Sequence, residues 1–377
     1  MTALALAAGL TVISAFPNAV SSPSWTCAYV AERLPRALAL RGDEAVSALE
    51  TRTARKGLSL PEGALSRASA LSLARALGGS RLVVVRCQDD RDQTAIEAQA
   101  FEVDRPVADG AARVVRPRAE IAAAIDELAG RLASAGTSES PSGFRAPFPA
   151  ALAKAGPALS SANATERARG LKAALDVDPA SIDLRLSAVE SAIAARDFDA
   201  AIGLATPVPS PDTQGALSRT LRFLAGAAQL EAGRYVAASE TFSALLRTRE
   251  TAAALNNLGV ARFRLRDPDA SSLFSRAGSF ADHRQNDISF NRALAMLFEG
   301  KAEPALPVID RAIEATPGDA QTHLLKVWAF RALNRERERG EAWDRLMAIA
   351  PSFASLGTPD LARRLERIFL SERNPAP

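Results

Sequence analysis

Histidine and cysteine, the side chains that most often supply a tuned base, a reactive thiol or a zinc ligand, are rare in this 377-residue sequence. There are two histidines, His283 and His323, and two cysteines, Cys27 and Cys87. A catalytic centre needs a nucleophile, a base and an orienting group within reach of one another, and a zinc site needs several such ligands. We therefore predict no catalytic residue, no metal site and no cofactor, and we expect surface or structural roles for both histidines.

Other chemical signatures are missing as well. Neither glycine-rich phosphate-binding pattern occurs, and Gly78-Gly79 fits the end of a helix before a strand. Cys27 and Cys87 lie in apolar segments, where a free thiol behaves as a small hydrophobic side chain; a single disulfide is the alternative. Lipid attachment at Cys27 is not expected, because this residue falls inside a predicted helix. No pair of carboxylates in an apolar context indicates an acid–base couple.

The charge and hydropathy of the sequence argue against a nucleic-acid partner and against a membrane-spanning segment. The net charge is +3, and the basic residues are interleaved with acidic ones, as in the run 335–339. A nucleic-acid surface needs its basic residues clustered on one face, so we predict no nucleic-acid partner. No run of about 20 apolar residues indicates a membrane-spanning segment. The apolar start of the chain lacks the positive charges of a secretory signal, and its continuation to Phe16 indicates a strand instead.

The elements that must position any functional side chain change in type along the chain. Residues 1–135 mix strand and helix patterns, which predicts a small α/β or α+β domain. Residues 136–147 are rich in Ser, Gly and Pro and indicate a linker, and residues 148–377 show helical hairpins alone. The predicted strands are Leu10–Phe16, Glu44–Ala48, Arg81–Cys87, Thr94–Val103 and Ala112–Val115, and the predicted helices of the first part are Ser24–Leu40, Ser66–Leu77 and Pro117–Ala135.

A repeated spacing organises the helical part. Pro317 and Pro351 lie 34 residues apart, and each follows the end of an amphipathic helix. Within the units, a small residue precedes a large apolar residue by 15 or 16 positions. The small residue lets two helices approach closely, and the large one fills the gap beside the contact. These pairs are Gly226 with Phe242, Gly259 with Phe274, and Ala293 with Ile309.

The pattern of Leu-Gly, Ala, Phe, Ala and Pro on a 34-residue period resembles the tetratricopeptide repeat family over roughly residues 163–353. The resemblance implies stacked helical hairpins with a concave groove that binds a protein or peptide. It also implies a closing helix, for which residues 357–371 are suited. Asn257 and Asn291 hold equivalent positions in successive units, and an amide can both donate to and accept from a peptide backbone. The predicted groove residues are Asn256, Asn257, Val260, Arg264, Phe290, Asn291, Leu294 and Trp328.

The amino-terminal part resembles, over about residues 10–135, the TolB-like amino-terminal domains of bacterial envelope proteins. The likeness rests on the strand at 11–16 with the helix that follows it. It rests also on the segment 73–85, where a helix ends in Leu77-Gly78 and leads into a Val-rich strand. This resemblance implies a partner-binding domain without a catalytic centre. It implies a periplasmic or envelope location if the chain is exported, and a cytoplasmic one otherwise.

The function predicted from these patterns is that of a non-enzymatic adaptor or scaffold, which binds a peptide or a partner helix in the groove of its repeats. Two alternatives stay open. One is a structural or assembly component of the bacterial cell envelope, which rests on the TolB-like resemblance. The other is an enzyme with a site in the amino-terminal domain, which rests only on analogy with other α/β domains.

Overall fold

The computed structural model describes residues 11–17, 25–41, 43, 45–61, 65–90, 92–105, 108–133, 145–206, 215–268, 270–280 and 285–352. Contacts divide the chain into two compact units, Met1–Leu224 (unit 1) and Ala225–Pro377 (unit 2). The predicted linker falls largely on 134–144, which lies outside the described residues, so the predicted limits at 135 and 148 stay a prediction. The predicted closing helix at 357–371 also lies outside the described residues.

Unit 1 begins with mixed strands and helices and continues with helices alone. In chain order its first elements are β1 (Thr11–Pro17), α1 (Trp25–Ala39), α2 (Ala48–Gly57), α3 (Arg67–Ala76), β2 (Arg81–Asp90), β3 (Gln93–Glu102), β4 (Ala108–Pro117), and, after a 3₁₀ turn at Arg118–Glu120, α4 (Ile121–Leu132). The helices that follow are α5 (Pro149–Ser160), α6 (Ala164–Leu175), α7 (Ile182–Ala194), α8 (Phe198–Ala205) and α9 (Ala216–Glu231), the last of which crosses the boundary between the units.

The strands form a four-stranded sheet in the order β1-β2-β3-β4. β1 is parallel to β2, whereas the β2–β3 and β3–β4 pairs are antiparallel. Since side chains alternate between the faces of a strand, β2 contributes to two cores. Val83, Val85 and Cys87 pack with residues of α1, α4 and α5, and Leu82 packs with residues of α3. The sheet therefore has helices on both faces.

The prediction of a strand at Glu44–Ala48 is wrong. In the structure Ala45 makes one isolated parallel bridge with Thr11, and α2 begins at Ala48. The reason is a capping box: the Glu50 N–H donates to Ser47 Oγ at 3.2 Å, and the Ser47 N–H donates to the Glu50 carboxylate at 3.2 Å. Such reciprocal bonds satisfy two backbone donors that a helix start leaves open, so this segment favours a helix.

Unit 2 consists of helical hairpins in its described residues. Its elements are α10 (Tyr235–Thr248), α11 (Ala252–Arg264), α12 (Ala270–Ala277), α13 (Gln285–Phe298), α14 (Ala302–Ala315), α15 (Ala320–Ala332) and α16 (Glu336–Ile349). The pairs α11–α12, α13–α14 and α15–α16 pack side by side, and each second helix also contacts the first helix of the next pair. This is the arrangement of hairpins that the repeated spacing predicts.

The turn inside each hairpin recurs at nearly constant spacing. Residues 233, 266, 300 and 334 all have positive φ, with values of 74°, 61°, 76° and 54°. Each follows the first helix of its hairpin, where a left-handed residue ends the helix. Glycine fills the position at Gly233 and Gly300, which carry no Cβ penalty there. The backbone thus shows the 34-residue period even where the side chains depart from it.

Glycine also sets the distance between paired helices. A Cβ on Gly259 would lie 2.7 Å from Cε1 of Phe274, and a Cβ on Gly226 would lie 2.8 Å from Cζ of Phe242. Both phenylalanines are fully buried. The ring of the second helix therefore occupies the space that a side chain on the first helix would need, as the spacing of these residues predicts.

Adjacent hairpins are joined by a capping bond. Glu299, at the end of the first helix of one hairpin, accepts from the backbone N–H of Ser271 at 2.9 Å and from its hydroxyl at 2.5 Å. Ser271 lies in the first turn of α12, which belongs to the preceding hairpin. The carboxylate compensates open backbone donors at that helix start and fixes the position of one hairpin on the next.

Candidate functional site

The eight predicted groove residues lie on the first helices of three successive hairpins. Asn256, Asn257, Val260 and Arg264 belong to α11, Phe290, Asn291 and Leu294 to α13, and Trp328 to α15. The structure thus brings these residues onto neighbouring helices. Their role in binding stays a prediction.

Three asparagines form a hydrogen-bonded chain across α11 and α13. Asn291 Nδ2 donates to Asn256 Oδ1 at 3.0 Å, and Asn256 Nδ2 donates to Asn257 Oδ1 at 3.3 Å. All three side chains are half-buried. Among the described residues, Asn257 Nδ2 and Asn291 Oδ1 have no further partner. The chain therefore presents a donor at one end and an acceptor at the other, which are the two groups that a peptide unit needs.

Two of the apolar groove residues, Leu294 and Trp328, are more deeply buried than the asparagines. Leu294 and Trp328 are only 6% and 9% exposed, and both belong to the core of unit 2. Phe298 meets Phe263 edge to face, with ring centroids 5.1 Å apart, and meets Trp328 in the same way at 4.9 Å. Such edge-to-face pairs stabilise a core in addition to the area they bury. Trp328 thus supports the wall of the face, and little of its surface is left for a ligand.

The remaining groove residues are half-buried. Val260 packs against the small core formed by Ala270, Phe274 and Ala295. Phe290 and Arg264 are also half-buried, and both have interactions with other residues of the chain. Of the eight predicted groove residues, only Leu294 and Trp328 are buried, and the other six are half-buried.

Of the two histidines, the structure describes His323, which has a structural contact. His323 is 6% exposed, and its Nε2 lies 3.0 Å from the carbonyl oxygen of Pro317, a contact that ties α15 to the preceding turn. His283 lies outside the described residues. No group of His, Cys, Asp and Glu side chains in the described ranges is arranged to hold a metal ion. Similarly, none of the described helices is both long enough and apolar enough to cross a bilayer.

The most heavily charged buried region was not predicted. It lies in unit 1, where α7 meets α1, and we call it the ionic joint. Its members come from five helices and are buried or nearly so, with Arg52 the most exposed. They are Tyr29, Glu32, Arg33 and Arg36 of α1, Arg52 of α2, Asp126 of α4, Arg167 of α6, and Asp183, Ser187 and Glu190 of α7.

Asp183 is the principal anchor of the ionic joint. Its carboxylate accepts from the hydroxyl of Tyr29 at 2.6 Å, from Arg33 Nη1 at 2.8 Å and from Arg36 Nη1 at 2.7 Å. The guanidinium of Arg33 reaches also to Asp126, at 2.9 Å. Burial alone would raise the pKa of Asp183, but the two guanidinium groups and the bond from Tyr29 outweigh it, and the pKa is lowered. Asp183 is therefore a fully buried anion held by three donors.

Glu32 and Glu190 form a second centre in the ionic joint. Both carboxyl groups bind Arg36 Nη2, at 3.2 Å and 3.3 Å. Glu32 also binds Arg52, as well as Arg167 at 3.1 Å and the hydroxyl of Ser187 at 3.2 Å. Burial would raise the pKa of Glu32, but the three arginines prevail and lower it to about 2. Burial raises the pKa of Glu190 to about 7, against the pull of Arg36 and with the help of the charge on Glu32.

The sequence analysis did not predict these buried carboxylates and their arginine partners. The signal available in the sequence was the helical spacing of Glu32 with Arg36 and of Asp183 with Ser187 and Glu190, which places each set on one helix face. A charged helix face is ordinarily solvated, and nothing local distinguishes this one. The paired residues of α1 and α7 lie 147 to 155 residues apart in sequence.

The expectation of two free thiols is also wrong. Cys27 and Cys87 form a disulfide with a Cα–Cα distance of 5.5 Å. It joins α1 to β2, and both residues are buried, with 3% and 1% exposure. Beside it, Asp89 accepts from the hydroxyls of Thr26 and Thr94 at 2.8 Å and 2.6 Å. The alternative of a single disulfide is the one that the structure supports.

Several solved structures are similar to part of this chain. No family model matches the sequence, and no curated protein does. YrrB, described as a TPR protein with an unusual peptide-binding site, shares 17% identity at a TM-score of 0.42 over 53% of this chain and 99% of that chain. MamA shares 17% at 0.41, over 46% and 94% of the two chains. PilF of Pseudomonas aeruginosa shares 16% at 0.44, over 58% and 97%. Each of these three solved structures matches about half of this chain.

Proposed function

We propose that this chain is a non-enzymatic adaptor that holds an extended segment of a partner protein against α11, α13 and α15 of unit 2. The observation that carries the proposal is the asparagine chain. It leaves an amide donor on Asn257 and an amide acceptor on Asn291 at a half-buried surface, where a hydrogen bond competes less with water than on an open one. The TPR-type neighbours, which are usually non-enzymatic, agree with this function.

The asparagine chain suits a main-chain ligand better than a charged one. Its free groups are neutral, and the cations close to it, such as Arg264, interact within the chain itself. A peptide unit offers one N–H and one C=O, and an extended segment can meet both ends of the asparagine chain without a particular side chain. Binding of this kind is broad in sequence and gains its selectivity from the neighbouring Val260 and Phe290.

The test uses peptides selected by display on the full-length protein, followed by measurement of their affinity for variants. Replacing both Asn257 and Asn291 with Ala removes the free donor and acceptor, and each lost hydrogen bond should cost about 1 kcal/mol, or roughly fivefold in Kd. Glu341→Ala, on the exposed surface of α16, is the matched control and should bind as the wild type does. Equal affinity of all three proteins, with unchanged helicity, would exclude the asparagine chain as the binding site.

We also propose that the adaptor works in an oxidising compartment, such as the periplasm or the cell envelope. The buried disulfide supports this, because protein disulfides persist where thiols are not kept reduced. The resemblance of the first part of the chain to TolB-like domains agrees with it. Alkylation of free thiols in intact cells, before lysis, should leave Cys27 and Cys87 unmodified unless a reductant is added first. Full alkylation without reductant would place the protein in a reducing compartment.

The division of the chain into an amino-terminal domain over 1–135, a linker over 136–147 and repeats over 148–377 belongs to the same proposal. So does the absence of a nucleic-acid partner. The interleaving of basic and acidic residues supports the absence of a nucleic-acid partner. The packing of the hairpins supports the repeats that the division assigns to the carboxyl-terminal part.

A further inference from the structure

The contact between α1 and α7 in unit 1 contains two carboxylates with several hydrogen bonds, Asp183 and Glu32, and one carboxyl group with few, Glu190. Asp183 and Glu32 each receive three or more hydrogen bonds from charged or hydroxyl donors. Within the described residues, Glu190 accepts from one charged donor, Arg36 at 3.3 Å, and its carboxyl lies beside that of Glu32, although its side chain is only 5% exposed. A buried carboxylate with one shared donor is costly, whereas a protonated carboxyl is not.

The position of Glu190 makes its ionisation costlier still. Its carboxyl and that of Glu32 bind the same nitrogen of Arg36, whose two N–H groups hold the two carboxyl groups close together, so two negative charges there would repel each other. The other charges that act on Glu190 come from Arg36 of α1 and Arg52 of α2. Arg52 and Arg167 are already bound to Glu32, while Arg33 is bound to Asp126 and Asp183. Each arginine of the joint is thus engaged with another carboxylate.

We propose that the ionic joint is a proton-controlled latch, in which one proton held at Glu190 keeps α7 closed on α1, and release of that proton to solvent loosens the contact. While the proton is bound, Glu190 is neutral, and the charge of Arg36 is balanced by its ion pairs with Glu32 and Asp183. Once the proton is lost, the charged carboxylate of Glu190 repels that of Glu32. A movement of α7 that exposes Glu190 to water then lowers the free energy of this charge.

The direction of the effect follows from the two carboxyl groups. The pKa of Glu190 is raised by burial to about 7, so its contribution to closure is fully present below the ordinary value and is lost as pH rises from there to about 7. The pKa of Glu32 is lowered by its arginines to about 2, so its contribution is lost as pH falls below the ordinary value. Closure is therefore tightest in mildly acidic solution and weakens towards neutral pH.

The test is amide hydrogen exchange on the full-length protein at about pH 5 and about pH 7.5, with exchange times corrected for the intrinsic pH dependence of the chemistry. In the wild type, amides of α7 should open up to about tenfold more readily for each pH unit between these limits. Glu190→Gln keeps the shape of the side chain without a titrating proton, and should remove this dependence. Glu120→Gln, at an exposed carboxyl of the same unit, should retain it.

An unchanged pH dependence in Glu190→Gln, or a wild type whose α7 opens equally at both pH values, would overturn the proposal. A second measurement covers the case in which the variant does not fold. Infrared spectra of the wild type in D₂O should show the carbonyl band of one buried protonated carboxyl at about pH 5.5, lost by about pH 8.5. Absence of that titrating band would equally reject the latch.

Discussion

Replacing Gly259 with alanine should destabilise unit 2, although alanine is ordinarily the better helix residue. The added Cβ would lie 2.7, 2.9 and 3.0 Å from three ring atoms of Phe274, which is 1% exposed. Real Cβ atoms do not approach other carbons so closely, so the ring or the helix must move. Because α11 and α12 belong to one hairpin, the movement would separate the helices at their closest contact.

The magnitude follows from two opposing terms. Alanine in place of glycine inside a helix contributes about 0.5 to 1 kcal/mol of stability, whereas forcing an extra group into a packed core costs about 1 to 3 kcal/mol. The difference is a net loss of between about 0 and about 2.5 kcal/mol, centred near about 1 kcal/mol. The control is Gly340→Ala in α16, where a Cβ would meet nothing within 4 Å, and this change should stabilise the protein by up to about 1 kcal/mol.

A compensating change sharpens the test. At the equivalent place in the next hairpin the pair is Ala293 with Ile309, both buried. Phe274→Ile should therefore make room for the alanine, and the double variant Gly259→Ala/Phe274→Ile should be no less stable than Phe274→Ile alone. Coupling of this kind between residues in contact is commonly 0.5 to about 3 kcal/mol.

The assay is urea unfolding of the full-length protein, followed by circular dichroism and by hydrogen exchange of α11 and α12. The reasoning is refuted if Gly259→Ala is as stable as Gly340→Ala, or if the effects of the two changes in the double variant simply add. Either result would mean that the glycine is not what allows the close approach of the two helices.

Three further changes test other contacts. Asp183→Asn should cost about 3 kcal/mol or more, because the buried guanidinium groups of Arg33 and Arg36 each lose one of their anionic partners, and an unchanged urea midpoint would argue against this. Reducing the bond between Cys27 and Cys87, which spans 60 residues, should cost about 4 kcal/mol on the loop-entropy estimate, measured as the shift in unfolding free energy with reductant. Glu299→Gln should cost about 1 kcal/mol through the weakened cap on Ser271, and faster exchange at the start of α12 should accompany it.

The hairpins of unit 2 could be predicted because their signal is local and repeated. The small residue, the large residue and the turn of each unit lie within about 40 positions of one another, and the same spacing returns in the next unit. The equivalent positions of Asn257 and Asn291 in successive units did not indicate how the amides pair with one another. The structure joins Asn291 to Asn256 and only through it to Asn257, because which neighbour an amide faces depends on the exact offset of two helices.

The features that the sequence did not predict depend on distant pairing. Tyr29 and Asp183 are 154 residues apart, and the two cysteines 60. Each of these residues taken alone fits an ordinary helix face or an apolar segment, so no local pattern distinguishes a buried pair from a solvated or free one. The helix α2 is a different case, because the Ser47-to-Glu50 capping box can be read from the sequence. The strand prediction for Glu44–Ala48 followed the apolar alternation of that segment, which forms no strand.

The attachment of α7 to α1 bears on how such a chain can be shortened or recombined. A fragment that ended after α4 would retain Arg33 and Arg36 but not Asp183, and would keep Glu32 but not Arg167. Residues selected for a sealed, anion-rich environment would then face water, or the side chains of a foreign neighbour. Any graft of the sheet onto another protein would therefore have to include α5 to α7. These helices follow the Ser-, Gly- and Pro-rich segment in sequence, but they are part of the same fold as the sheet.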